Sequence, residues 1–329
     1  MILRNWSPLK SSLKISWNFK EYEQLTMPEL QLFRLEKSDL PQLTFLWNKN
    51  VEYDVMTEKI FYEKTFGDSD FLPDLTLVAR VGQEIAGFMQ GLHRTNHLGE
   101  KIGWIKLFFT VKAFRRRGVA TALLHEIENG LKSAGVQRLQ IMDCNPNYFQ
   151  PGIDPFYTEA VCFAERNGYK KFADTANLLA DLSQDLDTDS QEGTLLQEGI
   201  EIRRAVEKDR DEVLNFIGQF WPPWVQEVET AFGNDPISLH LAFLHGQPRA
   251  FSAYDVNNKG MGWFGPMGTD PVFRGKGVGG ILLKRCLRDI RDQGHKYSII
   301  PWVGPIPFYM HYVDAHVHRV FWRYKKEFE

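Results

Sequence analysis

The chain repeats one pattern of apolar and polar positions in its two halves. Residues 30–35 (LQLFRL) alternate apolar and polar positions, and a helical pattern follows at residues 38–49. Residues 200–205 (IEIRRA) and 207–220 (EKDRDEVLNFIGQF) repeat this order. A period of two predicts a strand, and the longer period after an acidic start predicts an amphipathic helix. Each half is therefore expected to open with a strand and a helix.

Two further matches follow in the same order. Residues 75–91 and 239–255 each contain apolar runs divided by a Gly-Gln turn, which predicts a β-hairpin. Residues 108–124 and 267–283 each contain a strand, a loop rich in glycine and cations, and the start of a helix. The offset between matched segments changes slowly, as duplication with small loop deletions would leave it. Three ordered matches indicate an internal repeat.

The repeat predicts a mixed α/β fold built from two similar domains. Each half reads as strand, helix, hairpin, strand, loop, helix, strand and helix. Between Lys171 and Arg203 the chain has no cation and eight acids, and such uncompensated charge is typical of a linker. We predict domains at residues 29–182 and 199–329, joined by an acidic linker at residues 183–198.

The first residues have a different composition. They carry four cations before the first acid, Glu21. A transit peptide has this character, and so does a tail or an upstream start ahead of Met27. We favour the tail and assign it to residues 1–28.

Overall composition narrows the functional class. The formal net charge of the 329-residue chain is -3, so it lacks the basic surplus that nucleic acid or an anionic membrane surface would attract. No apolar run is long enough to predict a membrane span. The three cysteines, Cys144, Cys162 and Cys286, lack the spacing of a metal site or a disulfide framework. We expect a cytoplasmic protein without a bound metal.

The glycine-rich and cationic loop carries the candidate chemistry. Small residues let the backbone approach a ligand closely, and the following helix offers unpaired N–H groups and a partial positive charge. Together with nearby Arg and Lys side chains, these groups suit a diphosphate. The loop has neither the GK[ST] ending of a P-loop nor the glycine spacing of a dinucleotide fold. We predict cofactor-binding residues at Arg115, Arg116, Arg117, Gly118, Val119, Ala120 and Thr121, and at Arg274, Gly275, Lys276, Gly277, Val278, Gly279 and Gly280.

Both loops follow the motif Arg/Gln-x-x-Gly-x-Gly/Ala. The matching residues are Arg274, Gly277 and Gly279 in the second half and Arg115, Gly118 and Ala120 in the first. In this motif, twice placed between a strand and a helix, the chain resembles the GCN5-related N-acetyltransferases (GNAT superfamily), in a tandem layout similar to that of mycothiol synthase. The alternative interpretation is a solvated basic turn without a ligand, which explains one copy of the motif more readily than two. The resemblance implies an α/β (α+β) fold with two tandem GNAT-like domains, each a mixed, mostly antiparallel twisted sheet flanked by helices.

The resemblance also implies an acyl-CoA-dependent N-acyltransferase, with acetyl-CoA as cosubstrate and a small amine as acceptor. The strand ends beside the pantetheine arm would be Phe108, Phe109 and Thr110 in the first half and Met267, Gly268 and Thr269 in the second. Because proline has no N–H, Gly265-Pro266 predicts a break in the strand ladder, although a plain strand start fits equally well. An N–H at such a break can stabilise charge that develops on the thioester oxygen.

In this family a tyrosine of the last helix often protonates the leaving thiolate. Tyr309 fits that position best and Tyr312 is the second candidate, whereas a tyrosine packed against the core is the alternative for either. The first half has Ala164 there, so we expect chemistry mainly in the second half unless Tyr148 or Tyr157 substitutes. A carboxylate or an ordered water should take the proton of the amine. A non-catalytic acyl-CoA-binding or regulatory protein is the alternative function, and a monomer is compatible with the tandem layout.

Three other features have two readings each. Residues 143–154 are rich in proline, glycine and polar groups, which suits a ligand-shaping loop or a rigid turn. Trp221 and Trp224 could line the acceptor cleft, but we favour packing. For Cys144 we favour a buried thiol over a nucleophile.

Overall fold

The structure is a computed structural model that describes residues 30–96 and 99–328, so the tail assigned to residues 1–28 lies outside the described residues. The first half contains β1 (Leu30–Arg34), α1 (Leu40–Asn50), α2 (Glu58–Lys64), β2 (Thr76–Val81), β3 (Glu84–Thr95), β4 (Lys101–Thr110), α3 (Val119–Ser133), β5 (Arg138–Ile141), α4 (Thr158–Arg166) and β6 (Lys170–Asp181). After α5 (Asp189–Gln197), the second half contains β7 (Ile200–Arg204), α6 (Arg210–Phe220), α7 (Val225–Phe232), β8 (Leu239–Leu244), β9 (Gln247–Tyr254), β10 (Phe264–Thr269), α8 (Val278–Asp292), β11 (Tyr297–Ile300), α9 (Ile306–Val313) and β12 (His316–Glu327). One order of elements thus occurs twice, which confirms the tandem α/β architecture.

The periodic segments form the elements that they predict. The stripe of α3, at Val119, Leu123, Ile127 and Leu131, is buried along its whole length. The two Gly-Gln turns join β2 to β3 and β8 to β9 as antiparallel hairpins. Local periodicity was therefore sufficient to predict these elements, because one face of each packs against the core.

The last strand of each half lies beside strands of the other half. The larger sheet has the order β1-β2-β3-β4-β5-β12-β6-β11, and the smaller sheet has the order β10-β9-β8-β7. β12 lies antiparallel between β5 and β6, and β6 lies antiparallel to β11. The two halves therefore share one continuous sheet. The sequence-based prediction ended each half at its last helix. It therefore included neither β6 nor β12, the two strands that the halves exchange.

Ion pairs bind β12 to the first half. Arg319 donates to Asp54 at 2.6 Å and to Asp154 at 2.7 Å. Arg323 donates to Asp143 at 2.8 Å, and the three carboxylates are nearly or fully buried. The exchanged strand is thus held by side-chain charges as well as by the backbone ladder.

The acidic segment at residues 183–198, predicted as a linker, contains the helix α5. Its Leu195 is buried in a cluster with Ile200 and Leu282. Arg285 of α8 donates to Glu192 of α5 at 2.7 Å. The segment therefore connects the halves but also packs against the second one.

Apolar side chains cover both faces of the sheets. In the first half, Leu77 and Met89 point towards α3, while Val78 and Phe88 point to the opposite face with α1 and α2. The second half repeats this arrangement with α8 on one face and α6 and α7 on the other. Among the described helices, none has the length and apolar character needed to cross a membrane.

Candidate functional site

A break in the second half's sheet opens the candidate site. β10 pairs with β9, and the register shifts between Phe264 and Met267, which confirms the ladder break predicted at residues 265–266. Towards β11, a single bridge between Trp263 and Ile299 is found in the described part of the chain. β10 and β11 therefore diverge, and residues of both strands line the cavity between them.

The loop after β10 has a backbone that favours glycine. Gly275 and Gly277 have φ values of +86° and +77°, in the left-handed region that other residues resist. A Cβ at either position would meet nothing within 4 Å, so both border open space. Arg274 Nε donates to the carbonyl of Thr269 at 3.3 Å and ties the loop to the strand end. The helix α8 begins directly after Gly277, so its free N–H groups adjoin the open space.

A cavity of about 1010 Å³ lies against this loop. Its walls come from β10, the loop, the first turn of α8, the chain after β11, and α9. Residues of the first half complete the lining, namely Asn145, Tyr148, Asp174 and Thr175. A cavity of this size is typical of small-molecule sites, and both halves of the chain build it.

Five aromatic residues of the cavity lining, which we call the aromatic wall, form two groups of contacting rings: Tyr148 with Trp263 and Trp302, and Trp221 with Trp224. The ring of Tyr148 lies 6.0 Å from that of Trp263 and 5.2 Å from that of Trp302, centroid to centroid. Trp221 stacks on Trp224 at 5.9 Å. These two tryptophans pack as we favoured from the sequence, and they also line the cavity.

The loop at residues 143–154 brings the first half to this cavity. Asn145 and Tyr148 of the loop are in the lining. Arg94 of β3 donates to the carbonyl of Pro146 at 2.9 Å and fixes the loop. The loop is therefore both a rigid turn and a ligand-shaping loop, the two alternatives that its sequence offered. It is held firmly, and it shapes a ligand-sized space in the other half.

Glu227 of α7 also lines the cavity, although only 7% of its surface is exposed. Within the described residues its carboxylate has no hydrogen-bond partner. Burial raises the pKa of Glu227 to about 7, while Lys64 and Arg94 act in the opposite direction. A buried carboxylate without a partner is costly, so a ligand can supply the missing contact. Sequence analysis missed Glu227; its position next to the buried Val228 on a short amphipathic helix was the available signal.

Lys64 and Arg94, the two cations that act on Glu227, have carboxylate partners of their own, and so does Lys106, which lies beside Lys64. The pairs are Lys64 with Glu63 at 2.7 Å, Lys106 with Asp68, and Arg94 with Asp70 at 2.6 Å and with Asp68 at 3.5 Å. Lys64 also donates to Asn257, which is in the cavity lining. Burial lowers the pKa of Lys64 to about 8. Three cations thus face three carboxylates, and Glu227 is left as the unmatched charge.

Both tyrosines predicted in the last helix line the cavity. Tyr309 is 7% exposed, burial raises its pKa, and its hydroxyl has no hydrogen-bond partner among the described residues. Tyr312 packs on the start of α8, where a Cβ at Gly280 would lie 2.1 Å from its ring. Gly280, predicted as a cofactor ligand, therefore also serves close packing against Tyr312.

Family comparison agrees with this geometry. The profile of the Acetyltransferase (GNAT) family matches residues 32–154 and 205–306, about two thirds of the chain. The chain belongs to the GNAT family. Each match includes one hairpin and one cationic loop, so the assignment applies to both halves. Sequence comparison with curated proteins gives no match.

Solved structures show the same tandem GNAT fold. A structure described as a GCN5-related glucosamine N-acetyltransferase region of a fungal multi-domain GH3 β-N-acetylglucosaminidase has a TM-score of 0.76 at 17% identity, over 92% of this chain and 38% of that one. A GNAT from Sphaerobacter thermophilus has a TM-score of 0.68 at 17% identity, over 92% and 97%. A tandem GNAT protein of the clavulanic acid biosynthesis pathway has a TM-score of 0.64 at 14% identity, over 91% and 98%. At these identities the similarity defines the fold alone.

The first half of this GNAT protein keeps the shape of the loop. Arg115 Nε donates to the carbonyl of Thr110 at 3.2 Å, and Gly118 has a φ of +83°. Arg116 takes a φ of +63° where the second half has Gly275. A non-glycine residue at such a φ is uncommon, so the second loop has the less strained backbone.

Phe109 of the first half corresponds to Gly268 of the second, where the rings of Phe251 and Trp221 occupy the space that a side chain would need. Phe109 pairs with Phe88 in the β-sheet, and Gly268 pairs with Phe251 at the corresponding place. The ring of Phe109 packs on Trp47 at 5.5 Å. The buried aromatic cluster consists of Trp47, Phe61, Phe88, Phe109 and Phe149. The side chain of Phe109 therefore belongs to the core, and only its backbone is available to a cofactor.

Other predicted loop residues differ in what they offer. The side chains of Val119 and Val278 are buried in the core, so these residues can contribute only backbone N–H groups. Thr121 and Arg117 are exposed. Lys276 donates to Glu198 at 3.2 Å, at the surface. The GNAT loops thus present mainly backbone groups and cations to an anion.

Proposed function

We propose that this GNAT protein is an acyl-CoA-dependent N-acyltransferase that carries out its chemistry in the second half. The main support is the single cavity that joins the loop at residues 274–279, Tyr309 and the aromatic wall. One space of this size can hold a thioester and an amine side by side, and fixing two reactants together contributes strongly to rate. Binding of an acyl-CoA without turnover would not require room for an amine in the same cavity.

Acetyl-CoA is the proposed cosubstrate, and the residues present fit it. The open space at Gly275 and Gly277 suits close approach of a diphosphate to the backbone. The start of α8, with Arg274 and Lys276, supplies positive charge to the same place. The ladder break at residues 265–266 frees backbone groups of β10 for the pantetheine arm.

Tyr309 is the proposed donor of a proton to the leaving thiolate. Its unpaired hydroxyl lines the cavity, and burial raises its pKa, so the hydroxyl carries its proton at neutral pH. Tyr312 is held against Gly280 and supports the position of α9. The reaction would proceed by direct transfer from thioester to amine.

The first half has a supporting role in this proposal. Helix α4 carries no tyrosine, and Ala164 is buried at the position considered for one. Of the two possible substitutes, Tyr148 lines the second half's cavity, and Tyr157 donates to Asp54 at 2.8 Å. The first loop keeps an anion-binding shape, and we propose that it binds a coenzyme A without turnover.

Activity should appear as release of free thiol from acetyl-CoA in the presence of an amine. The test panel should include glucosamine, because one structural neighbour is described as a glucosamine N-acetyltransferase region, together with simple amines and a lysine peptide. Mass spectrometry should identify an acetylated amine as product. Tight calorimetric binding of acetyl-CoA without thiol release for any amine would instead favour the non-catalytic alternative.

Replacement of Tyr309 tests the proposed proton donor. We expect Tyr309→Phe to lower kcat by about 100-fold or more, since general acid catalysis contributes about 10²- to 10⁴-fold, with little change in KM for acetyl-CoA. Tyr297→Phe is the matched control because Tyr297 of β11 is 52% exposed. An unchanged kcat in Tyr309→Phe would remove Tyr309 from the mechanism.

A further inference from the structure

We propose that the acceptor is a primary amine that carries a positive charge and no carboxylate beside its nitrogen, and that Glu227 takes the proton of this amine. The inference rests on the proposed function, since it names the acceptor class and the base of the same reaction. Glu227 lies outside both GNAT loop motifs, on a helix where sequence analysis assigned no site.

The first reason is the unmatched charge of Glu227. The neighbouring cations Lys64 and Arg94 are already balanced by carboxylates. Glu227 itself is 7% exposed and lacks a hydrogen-bond partner in the described part of the chain. An ammonium group in the cavity would provide the charge and the N–H donors that this carboxylate lacks.

The second reason is the distribution of charge over the lining. Among the described residues that line the cavity, the cations are Arg274 and Lys276, and both belong to the loop after β10. The acids are Glu227 and Asp174, and Asp174 is largely exposed beside Lys171. Beside Glu227 a carboxylate on the acceptor would find only Lys64 and Arg94, which are already paired with carboxylates, and Glu227 would repel it.

The third reason is the aromatic wall, in which Tyr148 lies near Glu227. Faces of tryptophan and tyrosine attract cations through their ring electrons. Five such rings line the cavity, and Tyr148 is close enough to Glu227 for its pKa to be raised by that carboxylate, in addition to the larger effect of burial. The aromatic lining thus favours an ammonium in this cavity, and Tyr148 favours it near the proposed base.

The proton transfers balance as follows. The ammonium gives one proton to the Glu227 carboxylate, and the neutral nitrogen forms the new C–N bond to the acetyl carbonyl carbon. The C–S bond breaks, and the thiolate takes a proton from Tyr309. The nitrogen loses its second proton as the amide forms, which restores the tyrosine, and Glu227 returns its proton to water in the open cavity.

The ionisation of Glu227 gives this proposal a pH signature. The groups that act on its carboxylate are Lys64 of α2 and Arg94 of β3, which lower its pKa against the larger effect of burial; Tyr148 of the loop faces it as well. With a pKa of about 7, the carboxylate is mostly protonated below that pH and mostly ionised above it. A base must be ionised, so kcat/KM should rise as the pH increases through about 7.

Glu227→Gln is the direct test of the base. We expect kcat/KM for the amine to fall by about 100-fold, and the rise near pH 7 to disappear. Glu227→Asp should retain part of the activity and the pH-dependent rise. Glu229→Gln is the matched control, because Glu229 is on the same helix with a side chain that is 58% exposed. A Glu227→Gln variant with a normal rate and pH profile would overturn the assignment.

Pairs of amines and their parent amino acids test the acceptor class. The pairs are tyramine with tyrosine, histamine with histidine, and ethanolamine with serine, each assayed by thiol release from acetyl-CoA in the full chain. For every pair that reacts, kcat/KM should be at least about 10-fold higher for the amine, since a like charge beside a buried carboxylate is unfavourable. Equal or better use of the amino acids would overturn the acceptor class.

The outcomes separate this inference from the proposed function. Thiol release with amines, combined with unaltered kinetics in Glu227→Gln, would refute the inference and leave the acyltransferase assignment standing. Binding of acetyl-CoA without thiol release for any amine or amino acid would refute both. Loss of activity in Glu227→Gln supports the proposal only if its thermal unfolding and acetyl-CoA binding match those of Glu229→Gln. If Glu227→Gln does not meet this condition, the pH profile of Glu227→Asp is the test instead. A Glu227→Asp variant without a rise in kcat/KM near pH 7 would then count against the proposal.

Discussion

Neither half of this chain will fold as a stable monomer when it is expressed alone. Fragments 1–187 and 188–329 are divided after Asp187, which is exposed between the buried residues Leu186 and Thr188. The first fragment lacks β12, which lies between β5 and β6, and the second lacks β6, which pairs with β11 and β12. Each fragment would expose unpaired strand edges and the side chains that the exchanged strand covers.

The loss is comparable with the whole stability of a domain. Phe321 and Tyr324 of β12 are fully buried, and burial of such a side chain contributes about 1.5–3 kcal/mol. Removal of Arg323 would leave Asp143 buried without its partner, which costs about 3–5 kcal/mol. Since native stabilities are about 5–15 kcal/mol, these terms alone account for most of the stability.

Light scattering and circular dichroism measure the result. Each fragment alone should be aggregated, partly unfolded or self-associated through β6 or β12, whereas co-expressed fragments should form a one-to-one complex that melts near the temperature of the intact chain. A fragment that is monomeric and unfolds cooperatively would contradict the strand exchange.

The sequence allowed the repeat to be read but not the exchange. Hairpins and helices follow local periodicity, as the buried stripe of α3 illustrates. In β12 the register shifts between Arg323 and Tyr324, so Phe321 and Tyr324 are both buried at a spacing of three. This spacing hides the period of two that identifies a strand. Even if β12 were recognised as a strand, the sequence would not show which half it pairs with, because both halves offer an equivalent place in the sheet.

The two loops could be predicted from the sequence, whereas the cavity could not. The loops were predicted because Gly118, Gly277 and their flanking cations are adjacent in sequence. The aromatic wall and Glu227 come together from α7, the 143–154 loop and the chain after β11. The pKa of Glu227 depends on burial and on Lys64 and Arg94, which lie far away in sequence. No local pattern contains such information.

A negative charge at Gly277 should abolish productive use of acetyl-CoA. Gly277 is the N-cap of α8 with a φ of +77° and has open space at its Cβ position. Aspartate and asparagine tolerate the left-handed region better than most residues, so Gly277→Asp and Gly277→Asn carry a similar backbone cost. A unit charge about 4 Å from each charge of a diphosphate costs about 1–4 kcal/mol at the dielectric of a protein surface. We therefore expect KM for acetyl-CoA to rise by about 100-fold or more in Gly277→Asp relative to Gly277→Asn.

The sign of the stability effect separates binding from folding in this experiment. A negative charge at the N-terminus of a helix interacts favourably with the helix dipole, so Gly277→Asp should unfold at the same or a higher temperature than Gly277→Asn. Weaker binding in the more stable variant cannot then be a consequence of misfolding. Gly118→Asp places the same charge at the corresponding N-cap of α3 and should leave kcat and KM for acetyl-CoA unchanged, because the proposed chemistry takes place in the second half. If Gly118→Asp impaired turnover as strongly as Gly277→Asp, the chemistry could not be assigned to the second half alone.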